Sequence, residues 1–260
     1  MIICTVQFNY SGGPDYGLLL EVFRKSVARH MPDTSFQEIN IPPPRRDISK
    51  AYNLKYNTEK LEAWLHFLKT TEHDQVVFSD CDMVMAAPIY DAFDPEYDIA
   101  YTARTRTNRI PMNGGVMFVR NNGASKEFFE EFYRVNKAMY NDEKFHNQWR
   151  AKYAGMNQAA FGYMYEMKPC PVNLHEYFTD EWNAVDCDWP YITSETKLIH
   201  VKSKLRKNIL QNRQPYGSYK KAMEIWYREA GIVPANPPAP ERTARIKKEG
   251  GRRIVRRRHV

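Results

Sequence analysis

The stretch Gln75-Val76-Val77-Phe78-Ser79-Asp80-Cys81-Asp82-Met83-Val84-Met85 decides how the rest of the chain is read. An apolar run bounded by polar residues reads as a buried strand. Its far end carries two aspartates at i and i+2, and a second apolar run follows. Ionised carboxylates are too costly to bury unpaired, so they belong at the strand's carboxyl edge, where open α/β sheets keep their ligand crevice. In an extended segment i and i+2 point to the same side, so Asp80 and Asp82 can share one cation. Hard oxygen ligands suit Mg²⁺ or Mn²⁺, ions that commonly bridge to substrate phosphates. Taken alone, the same pair also fits a turn whose acids are merely solvated.

Outward from this strand, Lys60 to Lys69 places Leu61, Trp64, Leu65 and Leu68 on one face, a helix with Asn57-Thr58 as candidate caps. Upstream, Met1 to Asn9 reads as a first strand, Tyr16 to His30 as an amphipathic helix, and Phe36 to Ile41 as a second strand stopped by Pro42-Pro43-Pro44. The β-α-β-α-β rhythm predicts an α/β chain built on a parallel-cored sheet flanked by helices. Downstream, Tyr97 to Thr102 and the segment from Met112 through Asn113-Gly114-Gly115 to Arg120 are further strands. The glycines let the backbone approach a ligand closely, or make a hairpin turn. Helices follow at Lys126–Tyr140, His146–Arg150 and Gly155–Tyr165, short strands at Val172–His175 and Leu198–Val201, and a last helix at Tyr219–Ala230, closed by Gly231. The loop from Tyr10 to Tyr16 either holds a nucleotide base against Tyr10 or is a plain connection.

A chain of 260 residues can bury an ample core. It has no apolar run of about eighteen residues, so no transmembrane helix is expected. Met1-Ile2-Ile3-Cys4 reads as strand and not as signal peptide. Cys4, Cys81, Cys170 and Cys187 show no C-x-x-C spacing and are expected to be reduced thiols of a cytoplasmic protein. The net charge of +7 lies entirely in residues 241–260, where nine Lys/Arg face two acids. The expected division is therefore a catalytic domain over 1–232, then a proline-rich linker and Arg/Lys-rich tail over 233–260.

Four pieces in order resemble the nucleotide-sugar glycosyltransferases of the GT-A fold, particularly the family 8-like retaining enzymes. Phe78-Ser79-Asp80-Cys81-Asp82 looks like the family's D-x-D motif, and Met112-Asn113-Gly114-Gly115-Val116-Met117 is similar to its N-[SG]-G-V-[ML] strand. Met156-Asn157-Gln158-Ala159 resembles its D-Q helix start, and Ile199-His200-Val201-Lys202-Ser203-Lys204 its late histidine followed by a diphosphate-binding lysine. The resemblance implies the GT-A fold's Rossmann-like mixed sheet with a mostly parallel core flanked by helices, and a Mn²⁺ or Mg²⁺ ion held by Asp80, Asp82 and His200, with Asp82 essential to catalysis. It implies a nucleotide-sugar donor, UDP-sugar by family default, bound by Tyr10, Asp80, Asn113, Gly114, Gly115 and Lys202 or Lys204. Arg206 and Lys207 are left without a role. Gln158 and Asn157 fall near the reacting anomeric face. Asparagine where the family usually has aspartate favours front-face displacement with retention over a carboxylate nucleophile. Asp180, Glu181, Asp186 and Asp188 are the acids from which an inverting enzyme would draw its base, or they are ordinary loop.

A flexible arginine-rich arm neutralises phosphates non-specifically, which points to nucleic acid or, alternatively, an anionic membrane surface as partner. In layout the chain resembles phage-encoded enzymes that glycosylate hydroxymethylated pyrimidines in DNA. Other acceptors, a glycan, a lipid-linked glycan or a protein, stay open, as does a non-catalytic module that binds metal, nucleotide and polyanion. Trp182, Trp189, Tyr191 and Trp226 either stack on bases or sugars or belong to the core.

Overall fold

The computed structural model describes residues 1–8, 15–42, 52–104 and 112–234. Tyr10 and the basic tail therefore lie outside the described residues. In chain order the elements are β1 (Ile2–Phe8), α1 (Tyr16–His30), β2 (Ser35–Ile41), α2 (Tyr52–Thr70), β3 (Gln75–Asp80), β4 (Met83–Met85), β5 (Ile99–Ala103) and β6 (Met112–Arg120). They continue with α3 (Gly123–Asn141), α4 (Glu143–Arg150), α5 (Met156–Met167), β7 (Leu174–Phe178), α6 (Thr179–Trp182), β8 (Leu198–His200), α7 (Ser203–Leu210) and α8 (Lys220–Ala230).

Six strands form one sheet in the order β2-β1-β3-β6-β5-β7. β1 pairs in parallel with β2 and β3, and β5 with β7; β6 runs antiparallel to both its neighbours, β3 and β5. The sheet is thus mixed with a mostly parallel core: the rhythm predicts the parallel part, and the GT-A resemblance the mixed pairing. Because β6 runs in reverse, its amino end lies beside the carboxyl end of β3, with Val116 opposite Ser79. Asn113-Gly114-Gly115 and Asp80 therefore reach the same edge, and these three residues lie within β6 rather than in a turn before it.

Alternation in β3 sends Val76 and Phe78 to one face and Val77 to the other. The first face packs under α2, α3 and α5, where Phe78 stacks on Trp64 at 4.7 Å and meets Phe129 at 5.4 Å. The second face packs on α1 and β4 through Phe23, Val27, Met83 and Met85. A third apolar cluster joins α1, α7 and α8 and contains Trp189 and Trp226. Trp182, Trp189 and Trp226 are all buried, so these indoles are core; Tyr191 is exposed. All four cysteines are free thiols. Among the described residues no helix is long and apolar enough to cross a membrane.

The main boundary that differs from expectation is that of α2. It begins at Tyr52, so Asn57 and Thr58 lie within the helix and do not cap it. The Thr58 hydroxyl instead donates to Asn136 Oδ1 on α3 at 2.6 Å, a tertiary contact that overrides the local capping preference. β7 also starts later than expected and takes in Tyr177 and Phe178.

The α1–α8 contact is fixed by Glu229, whose side chain is 1% exposed. Arg29 Nη1 lies 3.0 Å from its Oε2, and Arg228 Nη2 2.9 Å from Oε1. Glu229→Ala strips both half-exposed guanidiniums of their partner, but they can turn to water. The expected loss is therefore about 1–3 kcal/mol, below the full cost of an orphaned buried charge. Urea denaturation should show a lower midpoint at unchanged slope.

Candidate active site

A cleft of about 400 Å³ opens at the sheet edge where β1 and β3 end and β6 begins. Its size is typical for a small-molecule ligand site. β3 delivers Asp80, and the short bend after it delivers Asp82. The second, two-stranded sheet pairs Met83 of β4 with His200 of β8, which brings the imidazole up to both carboxylates.

His200 Nε2 lies 3.2 Å from Asp82 Oδ1 and 3.6 Å from Asp80 Oδ2. Each carboxylate has its other oxygen held by a cation: Asp80 Oδ1 accepts from Lys60 Nζ at 2.7 Å, and Asp82 Oδ2 from Arg206 Nη1 at 2.9 Å. Arg206 Nη1 also donates to the Tyr16 hydroxyl at 2.8 Å. Two carboxylate oxygens and one imidazole nitrogen are left facing one another within 4.8 Å. Such a donor set fits Mn²⁺ or Mg²⁺, and a neutral imidazole favours the former. Burial works to raise the Asp82 carboxyl, but His200 and Arg206 outweigh it and hold the group below its ordinary value. Asp82 therefore stays ionised, as a metal ligand must.

Gly115 shapes this centre. A Cβ there would lie 2.6 Å from His200 Nδ1 and 2.9 Å from its Cε1, so only glycine leaves room for the ring. Asn113 Oδ1 accepts from the Gly115 amide at 2.9 Å and from Asn183 Nδ2 at 3.0 Å, which fixes the irregular first part of β6, where its register with β5 shifts. Gly114 has open space where its Cβ would be and lines the cleft.

On the opposite wall, α5 starts with Asn157 and Gln158 in its first turn. Asn157 is buried; its Oδ1 accepts from Asn136 Nδ2 at 2.9 Å, extending the Thr58–Asn136 contact to the cleft. Gln158 folds back over Gly155, whose φ of +103° and near-contact with Gln158 Oε1 exclude any side chain. Lys202 lines the cleft, with Nζ 3.3 Å from Asp186 Oδ1.

Lys204 does not reach the cleft. α7 begins at Ser203, so the strand alternation that would align Lys202 with Lys204 stops, and the Lys204 ammonium lies 5.8 Å from the Tyr219 ring. On the helix it is Arg206, four residues after Lys202, that enters the site. Among the four loop acids, Asp188 is buried and accepts from the Val185 amide, while Asp186 pairs with Lys202 and Arg104. Neither is among the residues that line the cleft, and nor are Asp180 and Glu181.

A family profile described as nucleotide-diphospho-sugar transferase matches residues 53–207, more than half of the chain. The chain belongs to that family. The transferase spans the D-x-D strand, the Asn-Gly-Gly strand, the α5 start and the late histidine within the matched region. Among solved structures it is similar to a glycosyltransferase involved in glycosylation of the major capsid of PBCV-1, at 15% identity over 86% of this chain and 100% of that one, TM-score 0.55. It is also similar to the galactosyltransferase LgtC, at 11% identity over 91% and 98% of the two chains, TM-score 0.54. GlyE of Streptococcus pneumoniae TIGR4 matches at 12% identity over 89% of this chain and 60% of its own, TM-score 0.55. These likenesses carry the fold, and the sheet is that of the GT-A glycosyltransferases. No curated protein matches the sequence.

Proposed function

We propose that the transferase moves a sugar from a UDP-sugar to an acceptor hydroxyl with retention of anomeric configuration, using Mn²⁺ or Mg²⁺ held by Asp80, Asp82 and His200. The observation behind this reading is the three-donor centre at the mouth of the sheet, each carboxylate braced by its own cation. A divalent ion in that position acts as a Lewis acid toward the diphosphate. Gly114 lets the backbone approach the donor. Asn113, Asn157 and Gln158 orient the sugar.

Asp80 and Asp82 are the only carboxylates among the described residues that line the cleft, and both face the metal position. Asn157 can form no glycosyl ester. These facts favour a front-face path: the C1–O bond to phosphate breaks, the C1–O bond to the acceptor forms, and the acceptor proton passes to the leaving phosphate oxygen. We assign catalysis to residues 1–232 and polyanion attraction to the basic segment 241–260, which makes hydroxymethylated DNA the first acceptor to try beside glycans.

A thermal-shift panel of UDP-, GDP- and ADP-sugars, each with Mn²⁺ and with EDTA, tests the donor. A ligand at a hundred times its Kd stabilises the native state by about 2.7 kcal/mol. UDP-sugars are expected to raise the melting temperature only with Mn²⁺, and NMR of the transfer product should show the donor's anomeric configuration. A shift indifferent to EDTA would sink the metal assignment, and an inverted product the front-face path.

A further inference from the structure

We propose that Arg104, together with Lys202, forms an anion-binding subsite on the acceptor side of the cleft, so that the hydroxyl receiving the sugar belongs to a molecule bearing a carboxylate or phosphate group. The inference rests on the transferase reading above and extends it to the class of acceptor.

Topology separates the two ends of the cleft. The strands β2, β1 and β3, the last ending in Asp80, occupy one half of the six-stranded sheet, and β5 and β7 the other. Arg104 follows the last residue of β5, and Ala103 lies in register with Phe178 at the end of edge strand β7. Phe178 is 51% exposed there, an aromatic residue on which a sugar or base can stack.

The charges point the same way. Lys60 is matched by Asp80 and Arg206 by Asp82. Arg104 and Lys202 share a single carboxylate: Asp186 Oδ1 lies 3.5 Å from Arg104 Nη1 and 3.3 Å from Lys202 Nζ. The doubly charged diphosphate of a nucleotide-sugar is balanced by a divalent ion, which leaves one cation in excess at this end. Both cations are largely enclosed, with side chains 13% and 20% exposed, whereas Asp186 is 57% exposed and can swing away. Arg104 Nε is buried without a hydrogen-bond partner, so the guanidinium keeps donor capacity in reserve. An anionic group entering past Phe178 would displace Asp186 and take both cations, in the bidentate manner arginine favours.

Sulfate serves as probe, titrated against sodium chloride of equal ionic strength, with and without saturating UDP and Mg²⁺, while melting temperature is followed. The expected result is a saturable sulfate-specific stabilisation that persists with UDP bound. It should weaken about tenfold in Arg104→Gln, the loss of a charge-assisted hydrogen bond, while the UDP shift is retained. Asp186→Asn, which removes the competing carboxylate, should bind sulfate more tightly than wild type. Sulfate that acts no differently from chloride, or that is expelled by UDP, overturns the subsite. A UDP shift absent beside an intact sulfate response would fault the donor reading and not this one. Finally, UDP-glucuronate binding about tenfold more tightly than UDP-glucose, with the preference lost in Arg104→Gln, would place the anion on the donor and overturn the acceptor assignment.

Discussion

Gly115→Ala is expected to cripple metal binding while leaving the protein folded. The added methyl would stand 2.6 Å from His200 Nδ1 and 2.9 Å from Asn113 Oδ1, closer than real Cβ contacts allow. The imidazole cannot simply slide, because the His200 backbone amide is tied to the Ala184 carbonyl at 3.0 Å and its strand pairs with Met83. The ring must therefore tilt, and metal sites tolerate ligand displacements of only about 0.2 Å. Mn²⁺ affinity should fall about 10–100-fold, the range seen when ligand support is disturbed. Overpacking should add a stability loss of about 1–3 kcal/mol. Gly114→Ala is the matched control for the fold, since a Cβ there meets nothing within 4 Å. Mn²⁺ titration of both variants by calorimetry, with melting curves in EDTA, reads the two effects separately. Equal Mn²⁺ affinity in Gly115→Ala and wild type would show that His200 is not a ligand.

Asp82→Asn should have the larger effect on turnover. Asp82 Oδ1 faces the metal position and Oδ2 holds Arg206, so one substitution removes a charged ligand and loosens a cleft cation. Loss of one preorganised electrostatic contact commonly costs about 10²–10³ in rate, and at least that is expected here for UDP-sugar hydrolysis without acceptor. The melting temperature in EDTA should also drop. A buried pair broken from one side costs about 3–5 kcal/mol, but the amide keeps an acceptor and Arg206 keeps the Tyr16 hydroxyl, so about 2–3 kcal/mol is the better expectation. Retained hydrolysis at full rate would remove Asp82 from the chemistry altogether.

Most of the fold was legible because its signals are local. A bounded apolar run marks β3, a four-residue recurrence marks α2 and α3, and glycine closes α8 at Gly231 with a φ of +67°. Asp80, Asp82 and His200 were legible as a set only through the order of motifs, since no periodicity links β3 to β8. Lys60 and Arg104 escaped notice because a single base carries no spacing signal. Lys60 left one clue: it sits four residues before Trp64 on the buried helical face, and its ammonium lies 4.4 Å from that ring. Arg206 left another, one helical turn beyond Lys202. Asn157 was read for chemistry alone, yet its amide also closes a chain of hydrogen bonds from α2 through α3. Such a chain depends on the packing of three helices and has no trace in any one of them.

The pairing of β4 with β8 has a consequence for how the protein reaches its native state. The strand bearing His200 comes from the late part of the chain and must return across it before the three donors meet. Contacts so distant in sequence form late, after the loop-closure entropy has been met. A divalent ion therefore has little to grip during folding and much to grip once folding is complete. Its stabilising effect falls on the escape rate from the native state rather than on the speed of arrival. The donor site is thus also a clasp, and a chain that has lost its ion opens sooner without having folded more slowly.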